Sequence, residues 1–241
     1  MSELKVEKSK NKTNTIILVE GVSDLAFLSL LLEKWDNYSF VKDIELPFSN
    51  KGMKCSKYSN DYTNIFILSV GGIDCFNEGL NIIEPLIKNT YTTRLIIIMD
   101  NDQNMGKELL NKLSFDFDIK ANKWIKSPIE DDYKQRREID MYIKLIPSNE
   151  SGALETIIIK AMEKDEEDIT KSAIKYIDGL NSNESKYIKR DRLKMKAKVG
   201  TIFNLISPDS TFDALKKKFA LVNTNNDILC NSFKFIIEPI E

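Results

Sequence analysis

Histidine is absent from all 241 residues, and that gap removes more chemistry than any other. Without it there is no Ser-His-Asp or Cys-His nucleophile system, no His-ligated zinc and no imidazole general base. Any hydrolysis has to rely on carboxylates, lysines and metal ions. Cysteine is nearly as scarce: Cys55, Cys75 and Cys230 are an odd number with no C-x-x-C spacing, which argues against a disulfide framework or a zinc site and for a reduced compartment. No apolar run approaches the length that spans a bilayer, and the polar, lysine-rich stretch Met1 to Asn14 lacks the apolar core of a signal peptide. A cytoplasmic protein with no membrane partner is expected. An excess of either charge is missing too. With 35 Lys and Arg against 37 Asp and Glu, the net charge is −2, so any contact with nucleic acid has to come from a local basic patch.

What is present is enough to build a substantial core. The chain is 42% hydrophobic and long enough for one large domain, or for a core domain with a smaller appendage. Strand-like runs alternate with helix-like ones, the order of a mostly parallel sheet covered by helices, and an α/β, Rossmann-like fold is expected. Thr15 to Val19, Asn64 to Val70 and Leu95 to Met99 read as strands, and Met141 to Ile146 alternates like a half-exposed strand ending at Pro147. Leu25 to Trp35 reads as a buried helix, and Phe76, Leu80, Ile83 and Leu86 recur at helical spacing. A short helix is expected from Met105 to Leu113 and another from about Gly152. Asp36 to Tyr62 reads as a loop-rich excursion, and beyond Ser114 the pattern loosens. From Glu163 onward only helices are expected, including Ile169 to Leu180 and Arg190 to Leu205. The expected division is a sheet domain over 1–162 and a helical extension over 163–241.

Two acidic clusters stand where strands end. Glu20-Gly21-Val22-Ser23-Asp24 follows the first strand and Asp100-Asn101-Asp102 follows the third. Ser23 or Asp24 could simply cap the next helix, since their side chains accept the orphan N–H groups of a first turn. Glu20 is harder to explain that way, because a charged side chain at the end of an apolar strand is costly to bury and usually faces a functional edge. Asp100-Asn101-Asp102 reads as a turn, as a calcium loop or as a magnesium site. The calcium loop fails at Met105 and Asn111, where glycine and glutamate belong. Alternate carboxylates beyond a buried parallel strand suit magnesium.

Taken in order, Glu-Gly-x-x-Asp after the first strand, Gly71-Gly72 after the second and Asp-x-Asp after the third resemble the Toprim domain of topoisomerases, bacterial primases, small ribosomal-RNA maturases and overcoming-lysogenization-defect nucleases. The resemblance covers about Thr15 to Met162. Ser151-Gly152-Ala153-Leu154-Glu155, beyond the strand ending at Pro147, further resembles stand-alone Toprim proteins and the overcoming-lysogenization-defect type. It implies a Toprim sheet, a nuclease cleaving DNA or RNA phosphodiesters, and Mg²⁺ or Mn²⁺ as cofactor. Glu20 matches the acid–base or metal-binding glutamate, while Asp24, Asp100 and Asp102 match the metal-holding carboxylates. Glu155 matches a further metal ligand on a helix. Gly21, Gly71 and Gly72 take structural roles. A lysine beyond the glutamate helix assists catalysis in the overcoming-lysogenization-defect type, and Lys196 or Lys194 fits that part.

The departures narrow the reading. There is no room for a topoisomerase's tyrosine domain, no cysteine pattern for a primase's zinc module, and no Gly-rich lysine loop of an ATPase. An ATPase partner, if one acts, is a separate polypeptide. Two alternatives stay open: a haloacid-dehalogenase-like phosphatase with Asp100 as nucleophile and Asp102 as acid–base, and a catalytically silent Toprim module that binds nucleic acid or a partner protein. Between Lys186 and Lys198, seven basic residues face only Asp191. That segment reads either as a solvated helix face or as a phosphate-contacting stretch.

Overall fold

The computed structural model describes residues 12–46, 53–89, 92–101, 121–130, 134–180, 188–210 and 215–238. Residue contacts divide the chain into two compact units that meet at Ser151 and Gly152. The first is built on a seven-stranded sheet and the second is helical. Helix Leu154–Asp165 therefore belongs to the second unit, although 1–162 was the expected extent of the first.

The sheet order is β2-β3-β4-β1-β5-β7-β6, with β1 Thr13–Val19, β2 Ser39–Ile44, β3 Lys54–Ser59, β4 Thr63–Ser69, β5 Thr92–Asp100, β6 Trp124–Glu130 and β7 Arg136–Ile146. Its four central strands, β4, β1, β5 and β7, run parallel. Of these β1, β4 and β5 carry near-continuous apolar runs because both of their faces are covered. The outer pairs, β2 with β3, β3 with β4 and β6 with β7, are antiparallel. The α/β expectation holds.

Side-chain alternation sorts the core by face. Ile16, Leu18, Leu68, Ile97 and Met99 pack in one cluster with Phe76, Ile82, Ile83 and Leu86 of helix α2, Phe76–Asn89. Ile17, Val19, Ile96 and Ile98 point to the opposite face. Helix α1, Val22–Trp35, contacts β1 and β4, and its buried residues Phe27 to Leu32 lie outside the α2 cluster, so α1 covers that opposite face. Tyr58 Oη donates to Ser29 Oγ at 2.6 Å, and Ser29 Oγ in turn donates to Leu25 O, which ties β3 to α1.

The structure corrects the sequence reading in three places. Asp36 to Tyr62 is not merely loop: it holds the antiparallel strands β2 and β3, whose lysine-bearing patterns SFVKDI and KCSKYS suit a sheet margin and obscure the strand period. The loosened stretch beyond Ser114 contains β6, an edge strand that accommodates Pro128. Finally, β7 is not half-exposed. It lies between β5 and β6 and starts at Arg136, so its alternating Tyr142 and Lys144 are buried rather than solvated. The expected helix from Met105 to Leu113 lies outside the described residues.

Among the described residues the second unit holds only helices: α3 Leu154–Asp165, α4 Glu167–Gly179, α5 Asp191–Ile206, α6 Leu215–Phe219 and α7 Asp227–Phe233, with short 3-10 turns. Helix α3 contacts α4, α5 and α7. Leu154, Ile157, Ile158 and Ala161 of α3 are buried, as their spacing requires. Asn226 caps α7 by accepting from Ile228 N at 2.9 Å and donates to Ala161 O of α3 at 3.2 Å.

Close packing of α2 on the sheet depends on Gly79. A Cβ there would sit 2.5 Å from Cγ1 of the fully buried Val70, whose branched side chain has little freedom to turn away. Alanine gains about 1 kcal/mol of helix propensity over glycine, against an overpacking cost of about 1–3 kcal/mol. Gly79→Ala is expected to be destabilising by about 1 kcal/mol net in urea unfolding. The Val70→Ala/Gly79→Ala double variant should be more stable than the sum of the single changes. Strict additivity would show that the contact does not constrain the helix.

Candidate active site

Parallel strands end at one edge, and the direction in which the chain leaves each strand decides where that edge opens. From β1 the chain goes to the β4 side of the sheet; from β5, the neighbour of β1, it goes to the β7 side. The two departures diverge, which makes the carboxyl ends of β1 and β5 a topological switch point, the place where open α/β sheets bind ligands. Glu20 and Asp100 stand there. Val19 pairs with Ile98, so Glu20 comes one residue, and Asp100 two residues, after a matched pair on neighbouring strands. Adjacent strands lie about 4.8 Å apart. Both carboxylates are buried, with residue exposures of 4% and 6%. A switch point that carries two buried carboxylates is suited to a cation.

The backbone on either side is fastened down. Glu20 O accepts from Gly71 N at 3.0 Å and Gly72 N at 3.1 Å, joining the end of β1 to the turn after β4. Those glycines have φ of 87° and 140°, conformations that side chains with a Cβ rarely adopt, which explains the Gly-Gly pair. On the other side Asn101 N donates to Ile146 O at 2.9 Å, and the Asn101 amide donates to Pro147 O at 3.0 Å and Glu150 O at 2.8 Å. Both acceptors are carbonyls, so only the NH₂ end of the amide fits. Asn101 thus ties the residue after Asp100 to the loop after β7.

Asp24 has the capping role in a form different from the one expected. The N-cap of α1 is Gly21, and Asp24, in the first turn, accepts from Gly21 N through Oδ2 at 2.7 Å. This is the return half of a capping box. It fixes the path of the chain between Glu20 and α1 and holds the Asp24 carboxylate at the same sheet edge. Asp102 lies outside the described residues. Glu155 and Lys196, both in the second unit, form an ion pair, with Lys196 Nζ 3.5 Å from Glu155 Oε1. The Glu155 side chain is only 14% exposed.

Among the described residues no three Cys, Asp or Glu side chains are gathered closely enough to hold a metal ion. Magnesium, however, is commonly held by only one or two carboxylates with its remaining positions on water or substrate phosphate. Glu20 and Asp100 fit that demand, and the buried position of both is the observation behind the fit.

Lys144 is the residue that sequence reasoning missed. It pairs with Ile98 while Asp100 pairs with Ile146, so Lys144 and Asp100 point to the same face of adjacent strands, one pleat apart. It is 7% exposed, and burial lowers its pKa from the ordinary lysine value. Its signal was a lysine inside an apolar strand, which is hidden if β7 is taken as half-exposed.

Such a fold and edge define a class: an α/β protein with a carboxylate-lined switch point. The chain belongs to the family described as "Protein of unknown function (DUF3226)", whose model matches residues 14–236. In fold it is similar to the hypothetical protein PH0156 from Pyrococcus horikoshii OT3, with a TM-score of 0.55 at 16% identity over 93% of this chain and 95% of that one. The cytosolic domain of the T. maritima FeoB iron transporter in GDP form II aligns over 92% of this chain and 93% of that one at 10% identity, with a TM-score of 0.17 that is too low for a shared fold. No curated protein matches the sequence.

Two measurements check this geometry. Asn101→Asp keeps the shape but sets a carboxylate against two carbonyls, and is expected to cost about 2 kcal/mol in urea unfolding; an unchanged midpoint would show that the clamp is not formed. Lys144→Met removes a buried charge and is expected to raise the melting temperature at pH 7 by at least about 2 °C. Because the folded pKa is the lower one, the unfolded chain binds the extra proton between that value and 10.5. The gain from methionine should therefore be full below this window and fade as pH rises through it. A pH-independent gain would assign the effect to packing alone.

Proposed function

We propose that this protein is a divalent-metal-dependent phosphodiesterase of Toprim type acting on nucleic acid. The observation that carries the reading is the pair of buried carboxylates, Glu20 and Asp100, on neighbouring strand ends at the switch point of the sheet. The order of the motifs supports it: Glu-Gly-x-x-Asp after β1, Gly-Gly after β4 and Asp-x-Asp after β5.

Glu20 and Asp100 would hold Mg²⁺ or Mn²⁺, with Asp24 and Asp102 as further carboxylates. The metal supplies Lewis acidity and lowers the pKa of bound water, chemistry that needs no histidine. The chain's own part is placement. Glu20 is held by the fastening of its backbone to Gly71 and Gly72 and serves as ligand or proton acceptor. Asp100 is held through Asn101. The positive-φ turn at Gly71 and Gly72 keeps side-chain bulk away from the edge, and a Cβ at Gly72 would meet nothing within 4 Å, so substrate backbone has room to approach. Glu155 and Lys196, which the resemblance names as ligand and assisting cation, form an ion pair within the second unit.

No helix among the described residues is long and apolar enough to cross a membrane. Cys55, Cys75 and Cys230 are free thiols, which supports a cytoplasmic setting. A separate ATPase subunit is a natural partner in this reading, because the chain carries no phosphate-binding loop of its own.

The test uses labelled DNA, labelled RNA and a phosphomonoester, each with Mg²⁺, Mn²⁺ or EDTA. Polymer cleavage is expected with metal, none with EDTA, and a loss of at least about 100-fold in both Glu20→Gln and Asp100→Asn. Phosphomonoester turnover that survives Glu20→Gln but not Asp100→Asn would transfer the assignment to a phosphatase. Polymer binding without turnover under every condition would make the protein a silent module.

A further inference from the structure

The nucleic-acid reading leaves one strong feature of the second unit unused. Lys189, Arg190, Arg192, Lys194, Lys196 and Lys198 fall within ten residues that hold a single acid, Asp191, in a protein whose overall charge is −2. The structure shows how these residues are presented. Helix α5 is anchored by its later half, where Val199, Ile202 and Phe203 are buried, and Phe203 stacks edge-on against Phe219. Its earlier half is displayed: Lys189, Arg190, Arg192 and Lys196 are exposed, while Lys194 and Lys198 are half-buried.

Lys198 is paired with Asp178 at 2.8 Å and Lys196 with Glu155 at 3.5 Å. Leaving those two and Arg192 aside, Lys189, Arg190 and Lys194 still outnumber Asp191, the single acid of the segment. Helices α1 and α3 place an acid in the first turn and a base in the last, in accord with the macrodipole. In α5 the first turn holds Asp191 but also Arg192 and Lys194, and the last turn has no base. An external polyanion at this end offsets that excess of cations.

We propose that residues 189–196, the lead-in and exposed first half of α5, form a sequence-indifferent docking ridge for the nucleic-acid backbone. The ridge is about 10 Å long at the rise of a helix. Along a duplex axis that length faces about three phosphates of one strand. Cations on long flexible stems, with no aromatic side chain among them to stack a base, hold the backbone and leave the bases unread. Lys189, Arg190 and Arg192 are its principal contacts. The ridge gives the proposed phosphodiesterase its grip on polymer, and only the nature of the partner rests on that reading.

The experiment measures binding of the full chain to labelled duplex DNA, single-stranded DNA and RNA of unrelated sequences in EDTA, from about 50 to 200 mM salt. The comparison is with Lys189→Gln/Arg190→Gln/Arg192→Gln, whose changes are all on exposed side chains and whose melting curve checks the fold. Three lost phosphate contacts should reduce the slope of log K against log salt by about 2–3 and weaken every sequence alike by at least about tenfold at low salt. An unchanged slope overturns the ridge, as does a loss confined to one sequence. Polyglutamate is the competing class: binding of it that depends on the same three residues, without a change on nucleic acid, assigns the surface to an acidic protein instead. Because EDTA prevents cleavage, the two readings fail separately. Loss of cleavage in Glu20→Gln with an unmoved slope sinks only the ridge, and a reduced slope without metal-dependent cleavage sinks only the enzyme.

Discussion

The divergence of the chain at β1 and β5 is the constraint on which the rest of the molecule depends. Because β1 leads to one side of the sheet and β5 to the other, the chain parts at a topological switch point. Glu20 and Asp100 stand there, buried and on neighbouring strands. Everything nearby resists relaxation of that arrangement: two glycine N–H groups hold Glu20 O, the Asp24 carboxylate holds Gly21 N, and the Asn101 side chain holds two carbonyls beyond β7. These contacts determine where the backbone that carries the carboxylates stands.

The capping and metal readings of Asp24 are compatible. A carboxylate has two oxygens with about four lone-pair directions. The bond from Gly21 N uses one direction on Oδ2. Asp24 stands at the third position of the helix, where an acid in the first turn also suits the macrodipole, so its charge serves the helix independently of any cation. The likeness to PH0156 of Pyrococcus horikoshii OT3, at 16% identity, speaks to fold alone. The functional argument therefore lives in the edge itself.

Much of the first unit could be read from sequence because its central strands are apolar on both faces and end in polar residues that do not belong in a core. Ile16 to Val19 followed by Glu20, and Leu95 to Met99 followed by Asp100, mark strand and edge together. The sheet margins were hidden for the opposite reason. In β2, exposed along its whole length but for Ile44, and in β6, with Lys126, Ser127 and Pro128, composition follows solvent and partner strand rather than a buried face. Lys144 was missed because alternation along a single strand cannot distinguish a solvent face from a second interior. Only the pairing of β7 between β5 and β6 settles that. The helices of the second unit were legible from their spacing, whereas the division at Ser151 and Gly152 was not, since α3 is as apolar as a helix belonging to the sheet.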